Sequence, residues 1–329
     1  MNKTILVCGA GGFIGTHLVN DLKNKGHTVI GVDIKEPLYE DTRCNEFYKQ
    51  DLREADMVDF IFSQHEFDEV YQLAADMGGA GYIFIGDNDA DIMHNSASIN
   101  LNVLESCRKH CVASTLKIFY SSSACMYPEH NQLDPDNPDL AEDTAYPANP
   151  DSDYGWEKLF SERLYLAYGR CYNMNVKIAR FHNIFGPQGS WNNGKEKAPA
   201  ALMRKVAMAE HDGVIEVWGP GNQTRSFLFI DECVEGVQRI MESDLTEPVN
   251  LGSTRKISIN ELVFLIAERS NKRVTINNID GPRGVMGRTS DNKMIKEKIG
   301  WAPDEDLETG IDKTYGWILG QIESGVEDV

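Results

Sequence analysis

Thr4-Ile5-Leu6-Val7-Cys8-Gly9-Ala10-Gly11-Gly12-Phe13-Ile14-Gly15 is the stretch that decides the fold. Five apolar or β-branched residues run straight into glycines spaced G-x-x-G-x-x-G at Gly9, Gly12 and Gly15, and a helical pattern follows over 13–24. Glycine at these positions permits a tight turn, lets backbone approach a pyrophosphate and lets the helix pack close to the strand. The helix N-terminus then supplies donors and positive potential. Working outward, strands are predicted at 4–8, 28–33, 69–73, 116–121 and 176–181, with further helices at 96–110 and 154–168. That alternation is the pattern of an α/β chain with a Rossmann-type, doubly wound parallel sheet covered on both faces. After Phe181 the rhythm breaks into Gly- and Pro-punctuated segments with shorter strands and helices. The expected division is therefore a dinucleotide-binding domain over 1–181 and a smaller α/β, mainly substrate-binding domain over 182–329, with some chain crossing back. The segment 127–153, rich in Pro, Asp and Asn, reads as a long surface loop.

The chain has 329 residues, long enough for one large or two intimate domains, and 32 Lys plus Arg against 51 Asp plus Glu leave a formal charge of −19. Such an excess repels nucleic acid and acidic lipid surfaces, so neither is an expected partner, and an anionic ligand needs a locally basic pocket. No uncharged apolar run of membrane-spanning length and no signal-peptide pattern is present, which points to an intracellular, cytoplasmic setting. The seven cysteines are odd in number and contain no C-x-x-C pair, as in a reducing compartment. Cys107 and Cys111 bracket His110 at helical spacing, but no second ligand cluster accompanies them, so helix packing is expected there and no metal site.

The glycine turn, with Phe13 and Ile14 between its last two glycines, is the expected cofactor seat. Asp33 ends the next predicted strand about twenty residues on. A carboxylate there accepts hydrogen bonds from a ribose 2′-hydroxyl and repels a 2′-phosphate, so NAD is expected over NADP. Asp51 is a weaker candidate for the adenine amino group, since an Asp at a strand end more often caps a turn. Leu73-Ala74-Ala75-Asp76-Met77-Gly78-Gly79 follows a predicted strand with small residues, suiting Ala74 to a close pass by the cofactor.

Tyr154 is the only tyrosine in the chain with a lysine four residues later, Lys158, and the spacing puts both on one helix face. An ammonium beside a phenol favours the phenolate and makes the tyrosine a base. Beside a dinucleotide seat, this pair reads as a proton relay for alcohol oxidation. A serine hydroxyl near the same oxygen is expected from Ser122 or Ser123 at the end of the 116–121 strand.

These motifs, with S-S-A-C-M-Y-P-E at 122–129, R-F-H-N-I-F-G-P at 180–187, G-K-E-K-A-P-A-A at 194–201 and W-G-P-G-N-Q-T-R-S-F at 218–227, resemble the nucleotide-sugar epimerases and dehydratases of the extended short-chain dehydrogenase/reductase family. The resemblance covers nearly the whole chain and is greatest to a branch that epimerises a GDP-sugar at the two carbons flanking C4. It implies bound NAD, a GDP-sugar substrate and a homodimer formed through the helices 96–110 and 154–168. Related dehydratases carry an Asp-Glu acid–base pair where this chain has Ala124 and Cys125, so elimination is disfavoured. The resemblance implies Cys125 as carbon-acid base and Lys197 as the acid on the opposite face, with Tyr154, Lys158 and Ser123 at the hydroxyl. By position it implies Gly78, Ser123, Ala124, Asn183, Glu196, Ala198, Lys205, Gln223, Arg225 and Arg288 as further substrate contacts, the cations converging on the diphosphate. The alternatives are a 4-epimerase of the same fold and, from a different class, a catalytically silent NAD-binding sensor.

Overall fold

A computed structural model describes residues 2–111, 115–282 and 284–325. In chain order its first half runs β1 (Thr4–Cys8), α1 (Phe13–Asn24), β2 (Thr28–Asp33), β3 (Glu46–Lys49), α2 (Ala55–Gln64), β4 (Glu69–Gln72), α3 (Ala80–Ile83), α4 (Asp89–His110), β5 (Lys117–Ser123), α5 (Asp153–Tyr172) and β6 (Asn175–Phe181). The second half runs β7 (Ile184–Phe185), α6 (Ala198–Met208), β8 (Gly213–Trp218), β9 (Thr224–Arg225), β10 (Leu228–Phe229), α7 (Ile230–Glu242), β11 (Val249–Leu251), β12 (Ile257–Ser258), α8 (Ile259–Arg269), β13 (Val274–Ile279), β14 (Gly287–Arg288), α9 (Lys293–Ile299) and α10 (Leu307–Ser324).

Seven strands form one sheet in the order β3-β2-β1-β4-β5-β6-β11, every pairing parallel. β1 is central and buried from Ile5 to Cys8, which is why it reads as an uninterrupted apolar run. Successive strands step away from β1 on one side as β2 and β3 and on the other as β4, β5 and β6. The order therefore reverses at β1/β4, and ligands of such sheets bind in the crevice at the C-terminal ends of those strands. One face of the sheet is packed by α1 and α7 through Leu18 and Val237, and the same core continues into α6, α8 and α10 through Leu202, Leu262 and Ile311. The other is packed by α2, α4 and α5 through Ile61, Val103 and Tyr165. The chain beyond β6 adds three small sheets, β7 with β10, β12-β9-β14 and β8 with β13, and also returns to the main sheet as β11 beside β6.

Three expectations need correction. α4 begins at Asp89, seven residues before the expected start, because its first turns are polar and only Ile92 is buried before Ser96. The 127–153 segment is not simply a surface loop: two short 3₁₀ turns, Glu129–Gln132 and Glu142–Ala145, fold it over a small core in which Tyr127, Leu140 and Ala145 pack with Ala124, Met126 and Leu159. Its prolines and aspartates occupy the turns between these buried anchors. Beyond 181 the strands are short, five of them two residues long, but the helices are not, with α7 at 13 residues and α10 at 18.

Candidate active site

The glycine turn sits at the switch point. Gly9 takes φ +85°, open to glycine at little cost, and a Cβ there would lie 2.9 Å from the Ala74 nitrogen in the loop after β4. A Cβ on Gly15 would lie 2.8 Å from the Gly9 carbonyl carbon, so α1 packs onto the turn only because that position is glycine. Gly12 caps α1 without any side-chain hydrogen bond, leaving the first-turn amides pointed at the crevice. Ala74 is fixed by Gln72, whose amide brackets its N–H and C=O at 2.9 Å each. Phe13 and Ile14 are half-buried against the core, with the Phe13 ring edge-on to His17. The Asp33 carboxylate accepts from the Gly11 amide at 3.0 Å and the Lys35 amide at 3.1 Å, which ties the end of β2 to the glycine turn. Burial raises the Asp33 pKa, opposed by these amides. Uncapped amides, glycine-only packing and a carboxylate at the rim fit a dinucleotide. The Asp51 carboxylate, in contrast, is paired with Arg53 at 2.6 Å, which holds its pKa below the ordinary value.

The chemical groups come from β5 and α5. β5 runs two residues beyond the expected end, and its alternation separates the two serines: Ser122 donates inward to Glu162 at 3.0 Å, while Ser123 accepts from the Cys125 amide at 3.2 Å on the side of Tyr154, near enough to the phenol to favour its charged form. Ser123 is thus the serine at the tyrosine. Ala124, buried, and Cys125 continue as a 3₁₀ turn. α5 starts at a Ser152 cap, and its Gly155 lets the Cys125 turn lie against the helix: a Cβ there would be 3.1 Å from the Cys125 carbonyl carbon and closer still to its oxygen. Nothing in the sequence pattern marks Gly155, because the contact it permits is made by a segment some thirty residues away.

Tyr154 is buried, and Lys158 Nζ lies 5.7 Å from its ring centroid while donating to the Ser121 carbonyl at 3.0 Å. Burial raises the Tyr154 pKa, the charge of Cys125 adds to that, and the nearby Ser123 hydroxyl opposes it. Burial also lowers the Lys158 pKa. The expected lowering of the phenol by Lys158 is therefore not what this structure displays; Ser121 takes the ammonium, and desolvation dominates.

Lys197 is the N-cap residue of α6 and Ala198 its first residue. Burial lowers the Lys197 pKa, and Cys125 is the first of the charges that oppose it. Arg288 was expected at a diphosphate, and the structure places it on the thiol: Nη1 donates to Cys125 Sγ at 2.9 Å, Nε to Gln132 at 2.6 Å and Nη2 to Asp151 at 3.2 Å. Gln132, buried, and Asp151, whose carboxylate is 4% exposed, carry no sequence signal, since they lie in the Pro/Asp-rich segment. Arg225 lies near enough to Arg288 for the two charges to interact; burial first, and Arg288 second, lower its pKa to about 10. Arg225 Nη2 donates to the Val285 carbonyl at 2.7 Å.

The remaining predicted contacts are more dispersed. Gln223 donates to the Trp218 carbonyl, and its buried Oε1 has no hydrogen-bond partner among the described residues. Asn183, in the left-handed region at φ 46°, donates to the Ser226 carbonyl. Glu196 is held by Arg204 at 3.2 Å. Gly78 is buried against Tyr82. Lys205 does not join the cluster: its amine donates to the Glu216 carbonyl on β8 at 2.7 Å. Among the described residues no group of His, Cys, Asp and Glu could hold a metal ion, and His110 instead pairs with Asp59. No described helix is long and apolar enough to cross a membrane.

A glycine-lined seat at the switch point, with a Tyr-x-x-x-Lys helix and a strand-end serine beside it, defines a class: an α/β protein built to move hydride between a dinucleotide and a carbon bearing a hydroxyl. The model of the NAD dependent epimerase/dehydratase family matches residues 5–252, and the chain belongs to that family. It is 47% identical over 324 residues to a GDP-mannose 3,5-epimerase of Arabidopsis thaliana, covering 98% of this chain and 84% of the relative. It is 47% identical over 321 residues to GDP-mannose 3,5-epimerase 1 of Oryza sativa subsp. indica, covering 97% and 82%. The solved structure of UDP-glucose 4-epimerase from Thermotoga maritima with UDP-glucose matches with a TM-score of 0.83 at 26% identity, covering 98% of this chain and 100% of that one.

Proposed function

We propose that this chain is an NAD-dependent 3,5-epimerase of GDP-mannose, working as a cytoplasmic homodimer. The observation that carries the reading is the packing of Cys125 with Tyr154 beside a dinucleotide seat, the Lys197 amine near enough for its charge to interact with Cys125, with Ala124 where a dehydratase-type acid would stand. The 47% identity to curated GDP-mannose 3,5-epimerases supports the substrate. Gly9, Gly12, Phe13, Ile14, Gly15, Asp33 and Ala74 hold the cofactor, and NAD, when bound, supplies a reversible hydride acceptor at sugar C4.

Tyr154, oriented by Ser123, takes the C4 hydroxyl proton and later returns it. The C4 ketone acidifies the hydrogens on C3 and C5, because the enolate places its charge on oxygen. Cys125 removes a hydrogen from one face. Lys197, whose lowered pKa eases proton release, delivers one to the other. Inversion at both carbons of the mannosyl group gives GDP-L-galactose, and inversion at C5 alone gives GDP-L-gulose. Arg225 neutralises the diphosphate, Arg288 orients the Cys125 thiol through its 2.9 Å hydrogen bond, and the open Oε1 of Gln223 is an acceptor for a substrate hydroxyl. The 1–181 segment holds the cofactor and 182–329 most of the sugar nucleotide. Exposed Met93 and Leu101 on α4 and Trp156, Phe160 and Tyr172 on α5 support a dimer through those helices.

Turnover of GDP-mannose in heavy water tests the reading. Deuterium must enter C3 and C5 of the product; a 4-epimerase incorporates none, and an NAD-binding sensor turns over no sugar.

A further inference from the structure

Lys197 enters the site from extended backbone, φ −81° and ψ 162°, at the N-cap of α6, so its place is set by the chain that precedes it. That chain, Lys195 and Glu196, is gripped by the segment after β4. The Gly79 amide donates to the Lys195 carbonyl at 2.9 Å. A Cβ on Gly79 would lie 2.9 Å from the Glu196 carbonyl carbon and closer still to its oxygen, so the two backbones cross where only hydrogen fits. At the side-chain level, Lys195 Nζ sits 4.1 Å from the Tyr82 ring centroid and 3.8 Å from Asp76 Oδ1. The Tyr82 hydroxyl donates to that same oxygen at 2.8 Å. Asn95 donates to the other Asp76 oxygen at 2.8 Å, and the Asp76 amide donates to Ser96 at 3.0 Å, which anchors the carboxylate to α4.

We propose that Asp76, Gly79 and Tyr82 are positioning residues: they clasp Lys195 and Glu196 and thereby set the reach of the Lys197 amine. This inference rests on reading Lys197 as the acid that completes inversion. It separates two outcomes after Cys125 has removed a sugar hydrogen. Return of a proton from Cys125 restores the original configuration and leaves only isotope exchange. Delivery from Lys197 inverts the carbon. Loosening the clasp therefore costs inversion and spares exchange.

The experiment uses the NAD-loaded enzyme with GDP-mannose in heavy water, and measures deuterium in recovered GDP-mannose alongside inverted product. Gly79 has φ −77°, which alanine adopts freely, so Gly79→Ala reads the crossing alone. With the Glu196 carbonyl forced back by about 1 Å, inversion falls by about 10- to 100-fold while exchange falls less than about threefold. Tyr82→Phe, which inserts nothing and removes only the hydroxyl to Asp76, gives the same split at several-fold size. Parallel loss of both rates in either variant, or no change in either, overturns the clasp. A wild-type enzyme showing neither exchange nor inversion refutes the proposed function instead, so the two failures are distinguishable.

Discussion

Gly155→Ala is the sharpest probe of how the site is assembled. In the interior of a helix this exchange ordinarily stabilises by about 0.5–1 kcal/mol, because glycine has more backbone freedom to lose. Here the added Cβ would lie 2.8 Å from Pro150 Cβ and 3.1 Å from the Cys125 carbonyl carbon. Carbon contacts settle at roughly 3.5–4.0 Å, so the Cys125 turn and α5 must part by about 1 Å. Overpacking of that size costs about 1–3 kcal/mol, which exceeds the propensity gain at this first-turn position and leaves a net destabilisation of up to about 2.5 kcal/mol. Because the same movement separates Cys125 from Tyr154, turnover falls by up to about 100-fold. Gly169→Ala is the control on the same helix, since its Cβ would come no nearer than 3.4 Å to the Met174 carbonyl oxygen. It should stabilise by about 0.5–1 kcal/mol with turnover unchanged. Urea unfolding and chromatography of the GDP-sugars measure both quantities. A Gly155→Ala enzyme as stable and active as wild type refutes the reasoning, as does equal damage from Gly169→Ala.

Two further outcomes follow from buried groups. His182 is fully buried with Nε2 at 3.0 Å from Asn250 Oδ1, and burial pulls its pKa from 6.5 to about 3. The depressed value means its contribution to stability is present above pH 6.5 and is lost as the pH falls toward 3, because the unfolded chain takes up the proton first. Between pH 6.5 and 5.5 the wild type should lose about 1 kcal/mol that His182→Gln does not, read as the difference in urea-unfolding slope against pH. Arg180 and Glu162 form a two-pronged pair at 2.7 and 3.1 Å with side chains 4% and 1% exposed, and Arg180 also donates to Tyr127 at 2.8 Å. Arg180→Met should destabilise by about 3–5 kcal/mol by stranding the carboxylate, and adding Glu162→Leu should recover part of it in the same unfolding assay.

Local pattern carried the architecture. Buried parallel strands read as apolar runs, the glycine spacing announced the cofactor turn, and Tyr154 with Lys158 is visible because four residues make one helical turn. All of these are short-range properties of the chain. The return of β11 to the main sheet, the choice of Ser123 over Ser122 and the capture of Arg288 by Cys125, Gln132 and Asp151 are not. Each joins residues distant in sequence or depends on which face of a strand meets which neighbour. Lys205 and the Tyr154 phenol illustrate the same limit. Charge type and spacing suggested a phosphate contact and a lowered pKa, yet a nearby carbonyl takes the first amine and desolvation governs the second. The sequence alone determined which chemical groups are available and on which elements they ride. Tertiary packing decided which of them meet and how far each is removed from water, because burial and long-range hydrogen bonds exist only once the layers have closed.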